Sequence, residues 1–133
     1  MQVYRTEEEK TIKILLVDDQ PGIREGLRMR LSLESDVTIV GEAGSGEEAI
    51  RLARALRPDV VLMDVRMAGM DGIEATAALR AVAPESSIVI LSLYDDARTR
   101  ARAKEAGAAA FVAKHHKKEE LLAAVRQAAG RKK

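Results

Sequence analysis

Five short β-rich apolar runs alternate with five helix-like stretches along the chain, and no repeat or low-complexity segment interrupts them. The runs are Ile12-Lys-Ile-Leu-Leu-Val17, Val37-Thr-Ile-Val-Gly-Glu42, Val60-Val-Leu-Met63, Ser87-Ile-Val-Ile-Leu-Ser92 and Ala110-Phe-Val-Ala113. Parallel strands need a crossover connection, usually a helix, so strict alternation predicts a parallel sheet with helices on both faces. The crossovers should be right-handed. Residues 11–130 are read as one α/β domain, residues 1–10 as a polar, flexible leader, and residues 131–133 as a tail or the start of a linker.

Local signals place the helices between the runs. Pro21-Gly22 opens the first, with Ile23, Leu27 and Leu31 spaced four apart on its expected inner face. Ser45-Gly-Glu-Glu48 and Asp71-Gly-Ile-Glu74 have the form of capping boxes, and Arg57-Pro58 stops the second helix. The stretch after Tyr94-Asp95-Asp96 carries Arg98, Arg100, Arg102 and Lys104 among alanines. Its apolar stripe is thin, so it should be the least firmly packed helix. Gly107 is a C-cap candidate, and Leu121, Leu122, Val125 and Ala129 mark the last helix.

Composition narrows the function. The 22 Lys and Arg nearly balance 21 Asp and Glu, which gives no electrostatic case for nucleic-acid or membrane binding by this chain. With no cysteine, disulfides and thiolate metal sites are excluded, and a reducing cytoplasm is the expected location. Aromatics at 2% argue against base stacking as the main activity.

Ligands of open parallel α/β sheets bind beyond the carboxyl ends of the strands. Those ends are Asp18 and Asp19, Asp64, Ser92 and Lys114. Three carboxylates close together resist ionising unless a cation offsets them. Hard oxygen donors suit Mg²⁺, which favours phosphate as a further ligand. A carboxylate in that setting can attack phosphorus and form an acyl phosphate. Lys114 and Ser92 are the groups available to meet the phosphoryl oxygens.

The chain resembles the receiver domain of bacterial two-component response regulators over nearly all of residues 12–129. The resemblance rests on Leu-Val-Asp18-Asp19, Asp64-Val-Arg-Met-x-Gly-Met-Asp-Gly72, Leu91-Ser92 and Gly107-Ala-x-x-Phe111-Val-x-Lys114. Val40-Gly-Glu-Ala43 and the Met-Asp-Gly72 turn are most similar to the NarL/FixJ branch. The resemblance implies a three-layer, doubly wound, flavodoxin-like (βα)5 fold with strand order 2-1-3-4-5. It implies that Asp64 accepts phosphate from a sensor histidine kinase. It implies Mg²⁺, with Mn²⁺ as a substitute, held by Asp18, Asp19, Asp64 and the backbone carbonyl of Arg66. Ser92 and Phe111 become the switch residues and Lys114 the phosphate-pairing cation. Homodimerisation on phosphorylation and a C-terminal DNA-binding output domain, absent from this chain, are the implied partners. Ala68 and His115 stand where the family usually carries proline.

Each residue also has a bland reading. Asp64 could merely end a strand, although its company at one sheet edge argues otherwise. Ser92 and Lys114 taken singly would be an ordinary strand-end hydroxyl and a solvated lysine, and Phe111 would be core. Asp19 is expected to point more directly at the metal than Asp18. The arginine run reads as a solvated face, and His115 and His116 as loop residues. Arg66 and Tyr94, each two positions past a site residue, are expected to tune the lifetime of the acyl phosphate. A stand-alone regulator, a constitutive docking module and a Mg²⁺-dependent phosphohydrolase are the alternatives. The last normally places an aspartate where Arg66 stands.

Overall fold

A computed structural model describes residues 11–93, 95–114 and 118–130. The leader over 1–10, Tyr94, the Lys114–His115 bond, His116 and the tail over 131–133 lie outside those residues. The elements alternate as expected: β1 (Ile12–Val17), α1 (Pro21–Leu31), β2 (Val37–Ala43), α2 (Gly46–Leu56), β3 (Val60–Asp64), α3 (Gly72–Val82), β4 (Ser87–Ser92), α4 (Ala97–Ala106), β5 (Ala110–Ala113) and α5 (Lys118–Ala128). All strand pairs are parallel, in the order β2-β1-β3-β4-β5. The chain therefore forms the expected flavodoxin-like three-layer fold.

The two-residue period of the strands builds the layers. Ile12, Ile14 and Leu16 of β1 point to one side, with Val60, Leu62, Val89 and Leu91, and meet Leu27 and Leu31 of α1 and Leu121, Leu122 and Val125 of α5. Leu15, Val17, Val61, Met63, Ile88 and Ile90 point to the other, where α2, α3 and α4 bring Ala49, Ala53, Ile73, Leu79 and Ala103. All five residues of β3 are buried, as a central parallel strand covered on both faces requires.

Some local expectations need correction. Ile23 is 37% exposed, whereas Leu27 and Leu31 are buried. Steps of four residues overshoot a turn by about 40° each, so the stripe drifts and its first member reaches water. Ser45 caps α2 by accepting the Glu48 amide (3.1 Å), but Glu48 reaches back to the Gly44 amide (2.7 Å) rather than to Ser45. The box at Asp71 and Glu74 is reciprocal, at 3.0 and 2.8 Å. In β2, the register with β1 jumps from Ile39 to Gly41, leaving Val40 as the extra residue of a bulge on an edge strand.

α4 buries Ala103 alone among its residues, in keeping with its thin stripe. Gly107 closes it with φ 104°.

Candidate functional site

Parallel alignment brings the ends of β1, β3, β4 and β5 to one edge, beside the switch point where β1 is flanked by β2 and β3. Asp18, Asp19 and Asp64 offer carboxylate oxygens that all lie within 4.8 Å of one another. Asp18 and Asp64 are buried, at 2% and 6% exposure, and Asp19 is exposed. Lys114 Nζ stands 3.0 Å from Asp18 Oδ2 and 3.0 Å from Asp64 Oδ1. Ser92 is 1% exposed, and its carbonyl accepts the Lys114 amide (2.7 Å). The edge thus gathers five of the sequence-derived residues: Asp18, Asp19, Asp64, Ser92 and Lys114.

Electrostatics follow from this crowding. Burial pushes the Asp64 carboxyl above its ordinary range; the Lys114 ammonium opposes that rise, and Asp18 and Asp19 add to it. For Lys114, burial pulls downward, but hydrogen bonds to Asp64 and Asp18 and their charges outweigh it, so the ammonium is held more firmly than usual. Ionised, the three carboxylates carry two negative charges more than Lys114 offsets. A divalent cation with hard-oxygen preference matches that excess and that donor set.

The surrounding backbone fixes each group. Asp18 Oδ1 accepts the Gln20 amide (2.9 Å), which orients the carboxylate just before α1. Asp19 Oδ2 faces the Ala68 amide at 3.4 Å, a donor that proline at this position would lack. The turn after Asp64 is further set by Gly69 at φ 77° and by the Gly72 amide donating to the Val65 carbonyl (2.9 Å). A Cβ on Gly72 would lie 1.9 Å from the Asp64 carbonyl oxygen. Only glycine lets α3 begin that close to the end of β3.

Arg66 is exposed. Phe111 lies off the acidic edge, half-buried on β5 beneath α4. Two contacts were not foreseen. Arg24 of α1 donates to the Asp18 carbonyl and pairs with Glu42 at 3.2 Å, tying β1 to β2 beside the site. Arg100 belongs to the solvated arginine face, yet its guanidinium covers the Phe111 ring at 4.6 Å. Neither contact has a local sequence signal, because each joins elements brought together only by the fold.

Residues 14–126 match the family described as the response regulator receiver domain. The chain is 42% identical over 118 residues to an uncharacterized transcriptional regulatory protein, YxjL, of Bacillus subtilis, covering 89% of this chain and 54% of that protein. It is 38% identical over 117 residues to the response regulator protein VraR of Staphylococcus aureus, covering 88% and 56%. The chain thus spans a little over half the length of these relatives. Among solved structures, the signal receiver domain of NarL from Mycobacterium tuberculosis superposes with a TM-score of 0.86 at 36% identity, covering 91% of this chain and 98% of that one. A LuxR-family two-component response regulator from Aurantimonas also gives 0.86, at 37% identity, covering 92% and 88%. No helix among the described residues is long and apolar enough to cross a membrane. The chain belongs to the response regulator receiver domain family, in its NarL-like branch.

Proposed function

We propose that Asp64 is the phosphoacceptor of this receiver domain and that its phosphorylation by a sensor histidine kinase switches an output. One observation carries the reading: Lys114 Nζ lies 3.0 Å from both Asp18 and Asp64 at the carboxyl edge of the sheet. An Asp64 oxygen attacks phosphorus, the bond from phosphorus to the donor's leaving atom breaks, and the acyl phosphate forms on Asp64. In this reading Lys114 pairs with a phosphoryl oxygen and Ser92 hydrogen-bonds another. Asp18, Asp19, Asp64 and the Arg66 carbonyl would hold Mg²⁺, which neutralises charge on the transferring group when bound. The acyl phosphate is lost when water attacks phosphorus, and in this reading Arg66 and Tyr94 tune the rate of that step.

The greater length of the matched relatives and the regulatory role in their names support a C-terminal DNA-binding output; homodimerisation on phosphorylation and a cytoplasmic location belong to the same proposed reading. The reading is tested by phosphotransfer from an autophosphorylated histidine kinase. Label should pass to the wild-type chain and not to Asp64→Asn. Equal labelling of the two removes Asp64 from the role.

A further inference from the structure

Ala103 is the one buried residue of α4, and charged side chains also link the helix to its neighbours. The Arg102 guanidinium lies 3.8 Å from Asp71 Oδ2 at the N-cap of α3. Arg100 makes two contacts at once. Its Nε donates to Asp95 Oδ1 in the β4–α4 loop, and its guanidinium carbon stands 4.6 Å from the centroid of the Phe111 ring on β5. A cation within about 6 Å of an aromatic face is attracted by the ring's quadrupole. The flat guanidinium also stacks in a way that an ammonium cannot.

Two short stretches of chain tie this contact to the acidic edge. Asp95 follows Ser92 by three positions, and Ser92 is the buried end of β4. Phe111 precedes Lys114 by three positions, and the Lys114 amide donates to the Ser92 carbonyl (2.7 Å). The loop holding Asp95 and the strand holding Phe111 therefore meet at Ser92, the end of β4, and Lys114, the residue after β5, which pairs with Asp64. Arg100 spans the same two segments from above.

We propose that Asp95, Arg100 and Phe111 form a latch that holds α4 and the β4–α4 loop in the resting arrangement, with Arg100 a positioning residue for the switch. The latch rests on the reading of Asp64 as phosphoacceptor. Movement of Ser92 toward a phosphoryl group on Asp64 draws the loop with it, pulls Asp95 away from Arg100 and uncovers Phe111. Because the latch favours the resting state, it opposes phosphorylation, and phosphorylation opposes the latch to the same extent. An exposed ion pair and one cation–π contact are each modest. Removing them shifts the balance by about 3- to 10-fold, not by orders of magnitude.

The chain has a single phenylalanine, so protein labelled with para-fluorophenylalanine gives one fluorine resonance, that of Phe111. Asp95→Asn keeps the Arg100 side chain but removes the charge that anchors it over the ring. Arg100→Lys keeps the charge but not the flat group. Asp95→Asn is expected to gain phosphoryl groups from acetyl phosphate and Mg²⁺ about 3- to 10-fold faster than wild type, with Arg100→Lys in between. The fluorine resonance of unphosphorylated Asp95→Asn should be displaced toward that of phosphorylated wild type. A merely structural contact would not move the rate. Equal rates in wild type, Asp95→Asn and Arg100→Ala overturn the latch and leave the phosphoacceptor reading standing. Failure of wild type to gain any phosphoryl group overturns both.

Discussion

Lys114 Nζ lies 3.0 Å from Oδ1 of Asp64, at the ends of strands that are separated in the sheet by β4. The contact therefore spans the mouth of the sheet, over the end of β4. Lys114 is the one cation paired with Asp64 among the described residues, so its charge should matter most when negative charge builds on a transferring phosphoryl group. Lys114→Met is expected to slow phosphoryl gain from acetyl phosphate by roughly 10- to 100-fold. Time-resolved intact-mass measurements check this, and a rate within twofold of wild type would remove Lys114 from the chemistry.

Gly72 is the steric condition for the turn after Asp64. A side chain there would press into the Asp64 carbonyl, with a Cβ 1.9 Å from its oxygen. Backbone on both sides leaves little room to relax. Gly72→Ala is expected to lower stability by about 3 kcal/mol, read from urea unfolding, and to impair phosphorylation as well. Full stability in the variant would show that β3 and α3 can move apart freely.

Arg57 closes α2 in the left-handed region, with φ 49°, which costs a non-glycine residue energy that glycine does not pay. Its side chain is exposed, so little packing opposes replacement. Arg57→Gly should raise stability by about 0.5–1 kcal/mol, measured by thermal or urea denaturation. A loss would mean that the Arg57 side chain makes a contribution larger than the backbone strain.

Glu42 at the end of β2 is held by Arg28 at 2.6 Å and Arg24 at 3.2 Å. Its hydrogen bond to Arg28 depresses the folded carboxyl below its ordinary value of 4.5, against a smaller opposing effect of burial. A depressed carboxylate stabilises the fold above its unfolded value, and that stability disappears as pH falls through the folded value. Glu42→Gln should thus be less stable than wild type at neutral pH and converge with it in acid below 4.5. A difference that stays constant across the acid range contradicts the ion-pair account.

The fold was legible because local and global signals agree. Each apolar run is short, each helix carries a start or stop signal, and the alternation leaves few topologies. The acidic edge was legible for the same reason, since parallel strands that end together bring Asp18, Asp19, Asp64, Ser92 and Lys114 into register without further information. What stayed hidden depends on small angles or distant partners. The drift of the α1 stripe exposed Ile23, the Val40 bulge changed the register of β2, and Glu48 chose Gly44 over Ser45. The Arg24 tie to Asp18 and the Arg100 cover on Phe111 join separate elements. Their spacing in sequence carries no trace of the contact.

The central claim is that Asp64 is the residue that receives phosphate. Intact-mass spectrometry of the chain in acetyl phosphate and Mg²⁺ tests it directly, with peptide mapping of the product. The account predicts one added phosphoryl group on wild type, carried by the peptide containing Asp64, and none on Asp64→Asn. No gain on wild type, or an equal gain on Asp64→Asn, would contradict it.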